Sequence, residues 1–331
     1  MKNASIETII DIQPIPNSDN IELAKVLGWQ SVVKNNEYKI GDNVIFVPID
    51  TVLPDTDWSA FLKDKKDPTK PIILRTVKMR GVISQGVIFP ISILPATLIR
   101  GIEIGEDVSS VLGITHFEKP LPVNADAIGT FPSVYVSITD EDNLNSNPDV
   151  LAELQNCDDI LEITLKMDGT SFTSITPIGE PTQICSRRLS LKDSDNLYWS
   201  YARKYNLLNF DGYAFQGELC GGNINGNNMG LQGHELYIFN IKDLRTVRRL
   251  TSQELTRFCI DKSLVKVPVI AHIHSTDLVS LAKLQEIANN VKYDNGKPAE
   301  GIVIRPYTKN VKSAILLKDL SVKVINQNYK G

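Results

Sequence analysis

No apolar run in this chain is long enough to cross a bilayer. The longest mostly apolar stretch, residues 86–99, is broken by Pro90, Ser92 and Pro95, whereas a spanning helix needs about 20 apolar residues. No apolar leader region follows Met1-Lys2-Asn3-Ala4, so the expected protein is intracellular and has no membrane anchor. Cysteine is scarce: Cys157, Cys185, Cys220 and Cys259 lie far apart, and no C-x-x-C pair exists. That spacing excludes a zinc ribbon or dithiol centre and predicts reduced, buried thiols acting as small hydrophobes. Positive charge is not in excess either. The net charge of −4 excludes a body coated in basic residues and leaves local patches. Candidate patches are Arg187-Arg188 with Lys192, Arg203-Lys204, Arg245 with Arg248-Arg249, and Lys309, Lys312, Lys318 and Lys323. There is no G-x-x-x-x-G-K-[ST] phosphate loop and no G-x-G-x-x-G. His272 and His274 would share one face of a strand, but no third ligand stands at a useful spacing. Internal repeats and low-complexity tracts are also missing.

A length of 331 residues, 42% of them apolar and 22% charged, suits a globular chain with two cores. Residues 1 to about 115 read as all-β. Short apolar segments at residues 6–12, 21–27, 31–34, 43–49, 72–77 and 82–91 are separated by turn signals: Pro14-Ile15-Pro16-Asn17, Gly41-Asp42, Pro54-Asp55 and Gly81. Strands at this spacing predict a small barrel or sandwich. Residues 67–71 are a polar excursion, and residues 116–124, with Pro120 and Pro122, read as a linker. Beyond about Ala125 helices alternate with strands. Asn147-Pro148-Asp149 predicts a helix capped by Asn147 and ending near Asn156. Thr251-Ser252-Gln253-Glu254 is a capping box opening a helix to about Asp261, and leucine spacing predicts another helix over residues 276–291. Strands are expected at residues 160–165, 213–220, 236–241, 301–306 and 314–325. The second part is thus α+β with much antiparallel pairing.

The apolar run 160–165 delivers Lys166-Met167-Asp168-Gly169 into a turn, and a second strand begins at Thr170. A lysine in that position, beside an aspartate, is a candidate covalent nucleophile. A K-x-D-G string alone arises by chance in roughly one chain of this length in twelve. Its weight comes from an ordered set downstream: Ser186-Arg187, Gly217-Glu218, Tyr237-Ile238-Phe239, Glu300-Gly301 and Lys323. The chemistry explains why these types belong together. An attacking lysine must be neutral, and with a free pKa of about 10.4 the fold is expected to lower it by burial, cations or a metal. Attack on an α-phosphate then needs positive charge against the phosphorus oxygens. Mg²⁺ keeps several waters, so carboxylates could hold it through its hydration shell.

That order resembles the covalent nucleotidyltransferase superfamily of RNA ligases, DNA ligases and capping enzymes. Within it the chain is similar to RNA ligases with an N-terminal OB-fold module that seal 3′-OH/5′-phosphate nicks. The likeness extends to Ile224-Asn225-Gly226-Asn227, Asp19-Asn20-Ile21-Glu22, Lys39-Ile40-Gly41-Asp42 and residues 80–86. It implies an all-β OB barrel over residues 1–117, a linker at 118–124 and, over 125–331, an α+β, ATP-grasp-like nucleotidyltransferase domain with antiparallel sheets. It implies ATP and Mg²⁺ or Mn²⁺ as cofactors, and a monomer acting on nicked duplex nucleic acid with an RNA 3′-OH strand. Lys166 would carry AMP, with Lys323, Glu300 and Glu218 as further catalytic groups. Thr164, Arg187, Glu218, Phe239, Val303, Lys318 and Lys323 would bind the nucleotide; Phe239 would stack on adenine, with Val303 on its other face. Asp168, Glu218 and Glu300 would order the metal. Three positions depart from the family pattern: Asn143 stands where an arginine is usual, Leu165 where an acid is usual, and Asn240 where an aspartate is common. The Gly- and Asn-rich residues 221–230 read as a flexible loop. Two alternatives stay open. One is a DNA ligase or capping-type enzyme, which places its OB module after the nucleotidyltransferase domain; the other is a non-catalytic, ligase-derived nucleic-acid-binding protein.

Overall fold

Period-two alternation builds the first part of the chain. In the computed structural model, which describes residues 2–16, 18–99, 101–117, 126–278 and 280–329, the chain divides into two units, Met1–Pro120 and Leu121–Gly331. The expected linker at 118–124 lies outside the described residues. Unit one contains β1 (Ser5–Pro14), β2 (Ile21–Val26), β3 (Trp29–Lys34), β4 (Asn43–Val47), β5 (Thr51–Leu53), β6 (Ile72–Ile73), β7 (Val77–Met79), β8 (Val82–Ser84), β9 (Val87–Pro90) and β10 (Thr115–His116), with a short helix α1 (Ser109–Leu112) before β10. An antiparallel sheet in the order β3-β2-β1-β4-β9 forms its centre. Successive residues of β4 feed two cores: Ile45 and Val47 pack with Ile6, Leu53 and Phe89, whereas Val44 and Phe46 pack with Ile9, Trp29 and Ile88. The sheet curls so that β8 meets β3, where Gln30 donates to the Ile83 carbonyl at 2.7 Å and Val32 N–H to Ser84 Oγ at 3.0 Å. Two expected strands are each broken. Residues 72–77 divide between β6 and β7 in different sheets, and residues 82–91 divide at Gln85-Gly86.

Unit two contains β11 (Ala127–Thr130), β12 (Asp142–Asn143), α2 (Val150–Gln155), β13 (Ile160–Leu165), β14 (Thr170–Thr176), β15 (Gln183–Cys185), β16 (Leu189–Leu191), α3 (Leu197–Lys204), β17 (Tyr213–Gly221), β18 (His234–Asp243), β19 (Arg248–Arg249), α4 (Ser252–Asp261), β20 (Val269–His274), α5 (Leu281–Asn290), β21 (Gly301–Pro306), β22 (Lys312–Ser313), β23 (Lys318–Asp319) and β24 (Val322–Ile325). Two sheets organise it: a seven-stranded one, β11-β16-β15-β14-β17-β18-β19, and a five-stranded one, β12-β24-β21-β13-β20. Every pair is antiparallel except β12–β24. The chain passes from the five-stranded to the seven-stranded sheet between β13 and β14, so residues 166–169 are the crossing point.

The Thr251–Glu254 capping box is present and opens α4 as expected. Elsewhere local signals were displaced. Asn147 does not cap α2; its amide donates to the Asn143 carbonyl, and the helix starts at Val150. The expected helix over 276–291 begins at Leu281, because Ser280 accepts from Lys283 N–H at 3.2 Å and takes the N-cap. The expected strand over 314–325 is a β22–β23 hairpin followed by β24. All four cysteines are free and buried. Among the described residues no helix is long and apolar enough to cross a membrane.

Candidate active site

Lys166 is held at the sheet crossing from both sides. Its backbone N–H donates to the Gly301 carbonyl at 2.9 Å, extending the β13–β21 ladder, which ends with Leu165 opposite Ile302. Three residues on, Gly169 lies against β17. A Cβ there would fall 2.5 Å from the Leu219 carbonyl and 2.9 Å from Glu218 Cγ, so only glycine lets the turn approach the strand that carries Glu218. Gly301 sits at φ +150°, with the Val324 carbonyl 2.2 Å from where a Cβ would be, which brings Glu300 up to the lysine. Lys166 Nζ lies 2.5 Å from Glu300 Oε1, and each side chain is about a quarter exposed (24% and 23%). Behind them, the buried Tyr293 hydroxyl donates to the Lys166 carbonyl at 3.3 Å and accepts from Glu300 N–H at 3.2 Å.

Among the protein's own groups the Lys166 pKa moves opposite to the expected lowering. Burial pushes the Lys166 ammonium down, but Glu300 beside it, with Glu218 and Asp140, outweighs burial and raises it. Glu218, opposite Ser171 on the neighbouring strand, moves the other way from most paired acids. Burial, joined by Glu300 and partly offset by Lys166, pushes it up to about 7. The arrangement is two carboxylates with one ammonium, a net negative cluster that favours added positive charge. Asp168 lies in the same turn, but its oxygens are occupied: Oδ1 accepts from Asn225 at 2.9 Å, and Oδ2 from Asn228 at 2.9 Å and the Tyr329 hydroxyl at 2.6 Å. Those bonds tie Asn225 and Asn228 of the Gly- and Asn-rich residues 221–230 to Asp168. Among the described residues, no group of three or more His, Cys, Asp or Glu side chains is placed to hold an ion by itself.

Cations gather beside this cluster, all on acids of one segment. Lys323 Nζ lies 3.2 Å from Asp140 Oδ1, and Arg187 Nη2 lies 3.0 Å from Asp140 Oδ2. Burial raises the Asp140 carboxyl, but Lys323, Arg187 and Lys166 together hold it below the ordinary range. Lys318 contacts Asp142 at 2.6 Å and donates to the Asp140 carbonyl at 2.8 Å. Register sets the floor of the site: Thr164 pairs with Val303, and Val303 with Lys323, so the three share one face. Phe239 is set out of the alternation of β18 by a β-bulge. Gln216 pairs with Asn240 but Gly217 with Ile238, leaving Phe239 as the extra residue, and bulges re-aim side chains in this way. It packs against the core of the five-stranded sheet while Ile238 enters that of the seven-stranded sheet. Arg305 lies 5.9 Å from the Phe239 ring and donates to its carbonyl at 2.6 Å.

The structure thus brings Lys166, Glu300, Glu218 and Asp168 around one turn, and Lys323, Arg187 and Lys318 around another segment. The sequence reading missed Tyr293, Tyr329, Asn225 and Asn228 as site groups, and also Asp140 and the partly buried Glu141–Arg305 pair. Asn225 stood within a stretch already singled out, and Asp140 beside the departure at Asn143, so both carried a signal. Tyr293 carried none. The departures have local accommodations. Leu165 joins the apolar core, Asn143 is buried and accepts from Asn145 N–H at 3.0 Å, and Asn240 donates to Gln216 at 2.6 Å.

Comparison with known proteins identifies the family of the chain. A family model described as RNA ligase matches residues 159–325, and one described as an OB-fold domain matches residues 3–91. No curated protein matches the sequence. Among solved structures, a variant of the Naegleria gruberi RNA ligase with ATP and Mn is 26% identical, with 98% of this chain and 97% of that one covered and a TM-score of 0.78. Another variant of that enzyme, with AMP and Mn, gives 26% identity, the same coverage and a TM-score of 0.77. The same enzyme with PPi gives 26% identity over 98% and 97% of the two chains and a TM-score of 0.75. With its second unit matched from β13 through β24, the chain belongs to the RNA ligase family.

Proposed function

We propose that this RNA ligase is ATP-dependent and seals 3′-OH/5′-phosphate nicks through a lysyl-AMP intermediate on Lys166. The observation that carries the reading is the 2.5 Å contact between Lys166 and Glu300, with Glu218 beside it and with Arg187 and Lys323 on one carboxylate nearby. In the first step Lys166 Nζ, having lost its proton, bonds to the α-phosphorus of ATP, and pyrophosphate leaves. In the second, a 5′-phosphate oxygen takes AMP from the lysine; in the third, the 3′-OH displaces AMP and the phosphodiester forms. Arg187 and Lys323 are assigned to the phosphates, exchanging Asp140 for them, and Lys318 can follow. Phe239 and Val303 are assigned to the two faces of adenine, with Thr164 alongside.

The solved relatives carry ATP, AMP and Mn, and the donor set here suits a hydrated divalent ion. Glu218 and Glu300 would hold Mg²⁺ or Mn²⁺ through its waters, with Asp168 contributing less because three donors already occupy it. Burial raises Glu218, and a divalent cation beside it would favour its charged form. Such an ion supplies positive charge against the phosphate oxygens and against the carboxylates that keep Lys166 protonated. Residues 1–117 are proposed as the OB module and 125–331 as the nucleotidyltransferase domain, in a monomeric, intracellular enzyme acting on nicked duplex. An OB module preceding the catalytic domain weighs against the DNA-ligase and capping alternatives. The test is incubation with α-labelled ATP or GTP and Mn²⁺, followed by denaturing electrophoresis. Label should attach from ATP and much less from GTP, and Lys166→Ala should abolish it. Label retained in that variant would remove the nucleophile assignment.

A further inference from the structure

Charge in this chain is segregated in a way the active site does not use. Residues 63–80 contain seven lysines and arginines against two aspartates, in a chain whose net charge is −4. Part of that excess is neutralised locally. Lys63 lies 2.6 Å from Asp55, and Lys70 lies 3.9 Å from Asp64 and 3.6 Å from Asp67. Lys65, Lys66, Arg75, Lys78 and Arg80 are exposed, as is every residue from 75 to 81. The β7–β8 hairpin carries the last of them. β8 lies along β3, whereas β7 is the outer strand of the hairpin and pairs with β8 alone among the described strands.

Apolar side chains are interleaved with these cations: Val77 is 42% and Met79 43% exposed, and Arg75 stands 5.6 Å from the Phe117 ring. A bland account is available, since edge strands are often protected from aggregation by a lysine. One or two charges serve that purpose. Seven cations in eighteen residues, continuing through the loop before the hairpin, exceed it and suit a polyanion.

We propose that residues 63–80 form a phosphate-binding surface of the first unit that grips the backbone of an RNA duplex flanking the nick. The proposal rests on the RNA-ligase reading for its choice of polyanion. Lys65 and Lys66 on the loop and Lys78 and Arg80 on the hairpin meet phosphates. Such contacts position the duplex without reading its sequence, and none of these residues belongs to the adenylylation machinery.

The experiment uses the full chain, a fluorescent nicked RNA duplex and polarisation between 50 and 200 mM salt. Lys65→Ala, Lys66→Ala, Lys78→Ala and Arg80→Ala are combined in one variant. Each phosphate contact contributes a salt slope of about 0.9, so the slope of log K against log salt should become shallower by about 3–4. Affinity at low salt should fall at least about tenfold, while lysine labelling from ATP stays within about twofold of wild type, which also reports an intact second unit. A variant with arginine at the three lysine positions should bind as wild type does. A control with Lys262, Lys283 and Lys297 changed to Ala should also keep its slope. Unchanged slope and affinity in the quadruple variant overturn the proposal, as does an equal loss in the control, which would make the effect bulk charge. Retained RNA binding together with loss of capture of an acidic polypeptide such as polyglutamate would assign the surface to a protein partner and also overturn it. A wild-type protein that binds the duplex through this face yet never labels with AMP would remove the ligase reading and leave the surface standing.

Discussion

Replacing Tyr293 by phenylalanine should slow lysine adenylylation without weakening ATP binding. The hydroxyl joins the Lys166 carbonyl at 3.3 Å to the Glu300 N–H at 3.2 Å, and the ring is 4% exposed. Burial pushes its pKa up, so the hydroxyl stays protonated and can serve as donor and acceptor together. Phenylalanine keeps the packing and deletes both bonds. Each is long, hence about 0.5–1.5 kcal/mol, and stranding a buried N–H costs about 1–3 kcal/mol. The lost bond to Lys166 and the stranded Glu300 N–H together come to about 1.5–4.5 kcal/mol, measured by urea unfolding. The catalytic effect comes from position: Lys166 and Glu300 are no longer tied to one atom, and about 1 Å of misplacement is worth up to ~10²-fold. Single-turnover labelling at saturating ATP should therefore fall about 10- to 100-fold, with the half-saturating ATP concentration within about twofold of wild type. An unchanged rate alongside the stability loss would show that Tyr293 only fills the core. A raised half-saturation with an unchanged rate would mean that it serves nucleotide binding.

Glu300→Ala should lower the adenylylation rate by roughly 10²-fold or more, as loss of a preorganised charge-stabilising group does; a near-normal rate at saturating metal would show that the ion is held elsewhere. Asp140→Asn removes the carboxylate that Arg187 and Lys323 share, so pyrophosphate should bind several-fold more tightly by calorimetry, and weaker binding would mean Asp140 orients those cations instead of competing for them. Glu141 is partly buried against Arg305, which with Ser321 outweighs desolvation and holds its carboxyl at about 2 against an ordinary 4.5. A depressed acid stabilises the fold fully above its unfolded pKa and loses that contribution as pH falls toward its folded one. Glu141→Gln should therefore flatten the acid limb of the stability curve between those values, and an unaltered limb would show that the pair contributes nothing to it.

Local chemistry determined much of this protein from the chain alone. A strand, a turn and a second strand around Lys166 follow from an apolar run meeting Met167-Asp168-Gly169. The helix after Thr251 follows from a capping box, and β21 from the alternation in residues 301–306. Each depends on neighbours within one or two turns, so its physics is written in consecutive residues. Tertiary structure decided the rest. The direction of the Lys166 pKa depends on Glu300, brought beside it by the β13–β21 register and by the close approach at Gly301. The commitments of Asp168 depend on Asn225, Asn228 and Tyr329, which come from a distant loop and the end of the chain. Phe239 leaves the alternation of β18 because a bulge turns it, and the bulge is visible only once β17 is laid against β18. Asp140 became a site residue because the parallel pairing of β12 with β24 sets its segment beside Lys323. Contacts of this kind are chosen by register and burial, which sum many weak preferences across the whole fold, and no short window of sequence contains them.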